Sequence, residues 1–227
     1  MLINKKLFIY IVYISLACLF TAELNIIHAH FILGIELPFI SFIMPTSAGI
    51  LFGYLLARIK LLGDKLKEIA DTDSLTEIYN RLHFNRLLNA EIDKAKRYGV
   101  QLSIIFFDID YFKQINDTHG HPTGDVILQE VAKVISSANR CSDIFARYGG
   151  EEFVILTAST NIEGAMEHAR RLRQDIEKHP FKIGRVTASF GVTEFNPSSD
   201  NQESLLERAD KAMYQAKEDG RNCIRQL

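Results

Sequence analysis

The chain has 227 residues, with 26 Lys and Arg against 28 Asp and Glu, so its formal net charge is −2. This length excludes a large multidomain enzyme, because after an apolar front segment about one ordinary domain remains. The near-neutral balance and the lack of a Lys/Arg run argue against a nucleic-acid partner, which would require a basic face to neutralise phosphates. The mean hydropathy of +0.01 hides a division, because residues 1–57 carry only four charged side chains.

Residues 1–57 are predicted to form a two-span transmembrane region. The runs 7–22 and 37–57 contain no charged residue, and each approaches the ~20 residues that a helix needs to cross the hydrocarbon layer. Lys and Arg flank the pair on both sides and are absent between the runs, so both ends are expected in the cytoplasm. The first run could instead be a signal peptide, but its cleavage-site pattern is weak and a second apolar run follows.

Two features of this apolar region concern its packing and its possible input. Gly49 and Gly53 would let the two spans approach each other closely. His28 and His30 lie in the loop between the runs and could belong to a metal or ligand sensor, since imidazole is a common metal ligand. We favour the alternative, interfacial polar residues of a membrane anchor, because no complete ligand set accompanies them.

Residues 58–72 are predicted to form a coiled-coil signalling helix. Apolar side chains recur at spacings of three, four and three at Ile59, Leu62, Leu66 and Ile69, which is the pattern of a coiled-coil seam. An amphipathic linker resting on the following domain is the alternative. The position favours a homodimer, because a stalk between a membrane helix and a domain can transmit a change in helix rotation.

Helical and strand-like segments alternate over residues 73–227. Helices are predicted over 80–98, 122–138, 161–178 and 202–219, and strands over 101–109, 143–148, 152–158, 184–194 and 222–226. Gly149 and Gly150 divide the middle pair of strands into a hairpin, where a tight turn requires positive backbone angles. The expected fold is α+β or α/β, with one central sheet covered by helices.

Carboxylates gather where two of these strands end. Asp108 and Asp110 lie two positions apart at the end of a buried strand, so both side chains can point alike. Glu151 and Glu152 begin the strand after the hairpin turn. If those strands are neighbours, the acidic oxygens converge and suit Mg²⁺, a hard cation, and such sites can hold two metal ions ~4 Å apart for phosphoryl transfer. Solvated strand ends are the ordinary alternative.

The string Arg147-Tyr148-Gly149-Gly150-Glu151-Glu152-Phe153 resembles the signature hairpin of the GGDEF family of bacterial diguanylate cyclases, in its GGEEF form. Further family motifs follow in order and at family spacing over residues 71–227, namely Asp73-Ser74-Leu75-Thr76, Phe107-Asp108-Ile109-Asp110, Asn116-Asp117, Gly120-His121, Ala209-Asp210-Lys211-Ala212-Met213-Tyr214 and Gly220-Arg221-Asn222. One departure is Glu77, where the first motif usually has Gly, and another is Leu82. The resemblance implies a palm-like α+β domain with a mostly antiparallel central sheet flanked by helices.

The resemblance implies condensation of two GTP into cyclic di-GMP with Mg²⁺ or Mn²⁺, two ions in each active half-site. Asp108 would bind metal through its carboxylate and Ile109 through its backbone carbonyl. Glu151 would bind metal and lie near the ribose 3′-hydroxyl, whose deprotonation makes the nucleophile. Glu152 would be a supporting catalytic acid.

Substrate recognition follows from the same resemblance. Asn116 and Asp125 match the family pair that reads guanine and thereby selects GTP over ATP. The groups expected to hold the β- and γ-phosphates are the backbone amides around Phe112 and Lys113 and the side chains of Lys217 and Arg221.

The segment Arg140-Cys141-Ser142-Asp143 is an RxxD motif, and five residues separate its end from Gly149. In the family, this motif is the site where cyclic di-GMP binds as an inhibitor, and Arg171 would complete it. A surface ion pair between Arg140 and Asp143 is the alternative explanation of the spacing.

The sequence therefore predicts a membrane-anchored diguanylate cyclase with product feedback inhibition, multi-pass in the bacterial inner membrane and in contact with lipid, its catalytic domain in the cytoplasm. It would act as a homodimer, because the second GTP must come from a facing domain. The competing hypothesis is a non-catalytic module that reads cyclic di-GMP through Arg140 and Asp143. The intact signature favours the enzyme, since degenerate family members usually lose it.

Overall fold

The computed structural model describes residues 2–27, 43–69 and 71–227, which fall into two compact units, Met1–Ala70 and Asp71–Leu227. The first unit contains helices α1 (Leu2–Ile27) and α2 (Ile43–Ile69). These helices pack closely at two glycines, since a Cβ on Gly53 would lie 2.6 Å from the Cα of Ile14 and one on Gly49 would lie 3.1 Å from the Ala17 carbonyl oxygen. The predicted close approach at Gly49 and Gly53 is confirmed.

By length and composition, one of the two described helices is a candidate membrane span. The segment Thr46–Gly63 of α2 is long and apolar enough to cross a membrane, whereas α1 carries the shorter apolar segment Tyr10–Ala22. The two-span prediction is thus not supported for α1, because Lys6 and Glu23 bound its uncharged stretch. His28 and His30 lie outside the described residues.

Helix α2 continues without a break across residue 57 as far as Ile69, so the predicted stalk is an extension of the candidate span rather than a separate helix. Ile59 and Leu62 are 65% and 51% exposed within the single chain. The side chains of Leu66 and Ile69 lie outside the described ones. The coiled-coil seam stays a prediction.

The second unit is built around a six-stranded sheet of order β1-β3-β4-β2-β5-β6. Its strands are β1 (Tyr79–Asn80), β2 (Leu102–Ile109), β3 (Ile144–Arg147), β4 (Glu152–Ala158), β5 (Ala188–Glu194) and β6 (Ile224–Gln226). Its helices are α3 (Arg81–Tyr98), α4 (Phe112–His119), α5 (His121–Ala138), α6 (Ile162–Lys178) and α7 (Gln202–Glu218). The central pairings are antiparallel and the two edge pairings are parallel, which confirms the expected mostly antiparallel sheet.

Strand β2 separates two hydrophobic cores by the alternation of its side chains. Ile105 and Phe107 join the core beneath α5 and α6, whereas Ile104 and Phe106 join the core beneath α3 and α7. Asp108 is the next residue in the second series, so its side chain emerges on the face that α7 covers. The fold thereby brings the end of β2 to the end of α7.

Several local features differ from the sequence predictions or from the family pattern. Helix α4 and strand β1 were not predicted, because α4 has only eight mostly polar residues and β1 has two. The strand predicted over 184–194 begins at Ala188, since Gly184 adopts a left-handed turn conformation with φ +100°. Glu77, which stands where the family motif usually has Gly, has φ +62°, a conformation that glycine adopts without steric cost.

Candidate active site

Two carboxylates face each other where β2 and β4 pair. The antiparallel register places Asp108 directly opposite Glu152, and directly opposite residues share one face of a sheet. The pairing extends beyond the strand end, because the amide of Ile109 donates to the carbonyl of Glu151 over 3.4 Å. Strands β2 and β4 are therefore neighbours, as the predicted convergence of their acidic side chains requires.

Asp108 is buried beside the ammonium group of Lys217 on α7. Its Oδ2 lies 2.8 Å from Nζ of Lys217, and the residue is only 4% exposed. Burial raises the pKa of Asp108 to about 6, the Lys217 ammonium opposes this rise, and the Glu151 and Glu152 carboxylates add to it. Burial likewise raises the pKa of Glu151. The edge thus holds clustered negative charge that one ammonium neutralises in part.

This donor set fits a hard divalent cation by its chemistry. Asp108, Glu151 and the Ile109 carbonyl offer oxygen ligands, and carboxylates that raise the pKa of one another are stabilised by added positive charge. Within the described residues, no group of three or more His, Cys, Asp or Glu side chains is arranged as a complete ligand shell. A bound ion would therefore take its remaining ligands from water and substrate phosphate, as Mg²⁺ commonly does.

Asp110 does not join Asp108 as a free acidic ligand. Its carboxylate accepts hydrogen bonds from Thr187 Oγ1 at 2.7 Å, Ser189 Oγ at 2.6 Å and the Asn222 amide at 3.0 Å. The prediction that both aspartates point alike to one site is replaced by a division of roles. Asp110 ties the end of β2 to the loop between α7 and β6.

The prediction that the glycines of the signature turn adopt positive φ is wrong. Gly149 is instead required because a larger side chain would not fit. Neither Gly149 nor Gly150 is among the residues with positive φ in the described chain. A Cβ on Gly149 would lie 2.2 Å from Oε2 of Glu152, whereas a Cβ on Gly150 would meet nothing within 4 Å. Gly149 therefore makes room for the Glu152 carboxylate, and Gly150 leaves the turn open on one side.

Sequence reasoning missed the residue that fastens this turn. Arg147 donates from Nε and Nη2 to the carbonyl of Gly150, at 3.1 and 2.6 Å, and from Nη1 to Asp73 Oδ1 at 3.0 Å. Burial favours a raised pKa for Asp73, but hydrogen bonds from Thr76 and Arg147 outweigh it and lower the pKa. The presence of Asp73 and Arg147 in two separate family motifs was the available signal.

Asn116 and Asp125 lie on the paired helices α4 and α5. The side chain of Asn116 rests over Gly124, where a Cβ would come within 1.9 Å of Asn116 Oδ1. This oxygen is buried and has no hydrogen-bond partner in the described structure, a state that costs about 1–3 kcal/mol. Asp125 follows Gly124 and is exposed. The pair offers a buried acceptor and an open carboxylate.

The start of α4 is an anion-binding geometry. Its preceding residue Tyr111 has φ +58° and provides no side-chain cap, so the first amides of the helix, including those of Phe112 and Lys113, are available to an external acceptor. The Arg221 guanidinium lies 4.5 Å from the centre of the Tyr111 ring. The Phe112 side chain is buried while Lys113 is exposed. The uncapped amides therefore follow directly after the residue on which the Arg221 guanidinium stacks.

The RxxD segment forms a tight turn around a histidine that sequence reasoning missed. The Arg140 amide donates to Asp143 Oδ2 at 3.2 Å, and the Asp143 side chain is 2% exposed. That oxygen lies 3.8 Å from Nδ1 of His168. Burial lowers the pKa of His168, Asp143 opposes this, and the charges of Arg171 and Arg140 lower it further. Asp143 therefore lies beside His168, and the charges of Arg140 and Arg171 act on the same imidazole.

The sequence of the unit that carries this site is similar to the sequences of known proteins. Residues 70–223 match the family described as "Diguanylate cyclase, GGDEF domain". The chain is 41% identical over 176 residues to Diguanylate cyclase A of Treponema denticola, covering 74% of this chain and 47% of that protein. It is 41% identical over 167 residues to Response regulator PleD of Caulobacter vibrioides, covering 71% of this chain and 37% of that protein. The chain thus spans about half or less of the length of these relatives.

Solved structures show the same fold. The coiled coil and GGDEF domain of DgcB from Caulobacter crescentus, in complex with c-di-GMP, superimposes with a TM-score of 0.68 at 30% identity, covering 76% of this chain and 93% of that one. The active GGEEF domain of a diguanylate cyclase from Vibrio cholerae gives a TM-score of 0.62 at 35% identity, covering 65% and 96%.

Proposed function

This chain belongs to the GGDEF family of diguanylate cyclases, and on that premise we propose that it condenses two GTP into cyclic di-GMP. In each half of the reaction, the 3′-hydroxyl of one GTP attacks the α-phosphate of the other. A new P–O bond forms, pyrophosphate leaves, and the hydroxyl proton passes to a base. The observation that carries the proposal is the register of Asp108 opposite Glu152, beside Lys217.

Cyclases of this family use divalent metal ions. Asp108, Glu151 and the Ile109 carbonyl would hold Mg²⁺ or Mn²⁺, two ions in each half-site. When bound, such ions supply positive charge to the reacting phosphate and its neighbours. Glu151 lies near the attacking hydroxyl in this scheme and accepts its proton. Glu152 supports it from the position opposite Asp108.

Guanine recognition is assigned to Asn116 and Asp125. A carboxylate can accept from both N1–H and the N2 amino group of guanine, and the unpartnered Asn116 Oδ1 can accept another N–H. Adenine lacks this donor edge, which gives selectivity for GTP. The β- and γ-phosphates are assigned to the amides around Phe112 and Lys113, with Lys217 and Arg221.

Feedback inhibition is assigned to the cluster of Arg140, Asp143 and Arg171. Arginine binds phosphate through a planar pair of donors, and both arginines lie close enough to His168 to influence its charge. Cyclic di-GMP, which is present in the DgcB complex, is the proposed ligand of this cluster.

Membrane anchoring and dimerisation complete the proposal. The apolar side chains of Leu51 and Phe52 on α2 are 61% and 57% exposed, and such surface is stable against lipid or another helix. We propose that α2 anchors the chain in the bacterial inner membrane, with the catalytic domain in the cytoplasm. Two copies would bring their signature hairpins face to face, with the seam around Ile59 and Leu62 as the contact.

The experiment is turnover of GTP by the purified full-length chain in bilayers, with cyclic di-GMP and pyrophosphate quantified by chromatography. Glu151→Gln keeps the size of the side chain and removes its basicity, so turnover should fall by at least about 10²-fold. Glu167→Gln makes the same chemical change at an exposed ion pair on α6 and should leave turnover unchanged.

The competing hypothesis, a non-catalytic module that reads cyclic di-GMP, makes a different prediction. A module would bind cyclic di-GMP with the same affinity in the parent chain and in Glu151→Gln, and neither would turn over GTP even when dimerised by a fused coiled coil. That outcome would overturn the cyclase proposal.

A further inference from the structure

The loop between α7 and β6 has an unusual backbone. Gly220, Arg221 and Asn222 have φ values of +102°, +62° and +47°, so three consecutive residues are left-handed and two of them carry a Cβ. Such residues persist only where the surroundings hold them. Arg221 is one of them, and its position therefore depends on whatever fixes its neighbours.

The neighbour that is held is Asn222, and the holding groups come from α6. Arg173 Nη1 donates to the Asn222 side-chain Oδ1 at 2.8 Å and to its carbonyl at 3.3 Å. The Asn222 Nδ2 donates to Glu177 Oε1 at 3.1 Å, and Arg173 also donates to Glu177 Oε2 at 2.8 Å. The backbone amide of Asn222 also donates to Oδ2 of Asp110, at the end of β2, at 3.0 Å. Every polar group of Asn222 is therefore engaged.

Arg221 belongs to this loop, and its side chain lies at the start of α4. The Arg221 guanidinium stacks 4.5 Å from the Tyr111 ring centre, and Tyr111 immediately precedes the uncapped amides of the helix. Without the contacts to Asn222, Arg221 would be held in its left-handed conformation chiefly by the hydrogen bond from its amide to the Ala216 carbonyl, at 3.1 Å. Its guanidinium would then sample positions away from these amides.

We infer that Arg173 and Glu177 of α6 are positioning residues that hold Asn222 and so aim Arg221 at the triphosphate. This rests on the proposed binding of GTP phosphates by Arg221. Within the described part of the chain, the side chains of Arg173 and Glu177 contact Asn222, Arg185 and each other, so both would act through the loop. Arg170 on the same helix is a natural contrast, because it is exposed and pairs with Glu167 instead.

The test compares steady-state kinetics of four full-length variants with GTP. Arg221→Ala should raise the KM for GTP by about 10-fold or more, since it removes a charge-assisted hydrogen bond. Arg173→Met should raise the KM in the same direction, with a smaller change in kcat. The double variant should be no worse than Arg221→Ala alone, because the two residues act through one interaction. Arg170→Met is the matched control and should behave as the parent chain.

An unchanged KM in Arg173→Met, beside a raised KM in Arg221→Ala, would overturn the positioning role. Additive effects in the double variant would overturn it too. An unchanged KM in Arg221→Ala would instead refute the proposed phosphate contact, so the two failures are distinguishable. If Arg173→Met does not fold, Glu177→Gln replaces it, and a parent-like KM in that variant with Arg221→Ala raised would again contradict the inference.

Discussion

Gly191 sets how closely α7 can approach the sheet, and Gly191→Ala tests that placement. A Cβ at this position in β5 would lie 2.1 Å from the carbonyl oxygen of Ala209, 2.3 Å from the amide nitrogen of Met213 and 2.9 Å from the carbonyl carbon of Ala212. All three are backbone atoms of α7, so no side-chain rotation relieves the contact. Helix α7 must therefore move.

The size of the movement follows from those distances. An ordinary contact begins at 3.4 Å, so the helix must withdraw by roughly 1 Å. Overpacking of this kind costs about 1–3 kcal/mol, and the rigid backbone on both sides places it at the upper end. A loss of about 3 kcal/mol lowers Tm by about 6–12 °C for a unit of this size. Since α7 carries Lys217, a displacement of ~1 Å should also cost about 10²-fold in turnover.

Thermal unfolding and GTP turnover of the full-length chain check both parts. Gly63→Ala is the control for the chemical change, because a Cβ there meets nothing within 4 Å, and it should be neutral or stabilising by about 1 kcal/mol. A parent-like Tm in Gly191→Ala would refute the close packing of α7 on β5. A lowered Tm with unchanged turnover would show that the displacement does not reach Lys217.

Three further predictions concern single side chains. Asn116→Ala removes a buried unpartnered acceptor, so Tm should hold or rise while the KM for GTP increases by about 5–10-fold; a lower Tm with unchanged KM contradicts this. Gly149→Ala forces the Glu152 carboxylate aside, so turnover should fall while urea denaturation shifts by less than about 1 kcal/mol. Burial lowers the pKa of His168, so the unfolded chain protonates first and stability is lost as pH falls below about 6.5; His168→Gln should reduce the Tm difference between pH 7.5 and 5.5, and an equal difference in both chains refutes it.

The longer elements of the second unit were predictable because each carries a strong period. Helix α3 was predicted over 80–98 and begins at Arg81 because Asn80 is its cap, accepting from the His83 amide at 2.9 Å. Helix α4 was not predicted because only Phe112 of its eight residues is buried, so the sequence shows no periodic apolar face there. The two-residue β1 is likewise too short to show an alternation.

The position of the candidate site was predictable from motifs, but its internal contacts were not. In the sequence, Asp108 and Asp110 look equivalent, because they lie two positions apart at the end of one strand. Only the fold shows that Thr187, Ser189 and Asn222 saturate Asp110 while Asp108 meets a cation. Donors that lie 77 to 112 positions away along the chain leave no local signal.

Lys217 links the carboxylates that would bind metal with the groups that would bind the triphosphate. In the structure its ammonium is the counter-ion of the buried Asp108, whereas the family resemblance assigns it to the triphosphate. Both roles follow from one requirement, since a buried carboxylate needs positive charge until another cation replaces it. A divalent ion on Asp108 would supply that charge and release the flexible ammonium, which is 27% exposed, toward substrate oxygens. Metal loading and phosphate binding would then be cooperative, because each removes a competitor for the other's ligand.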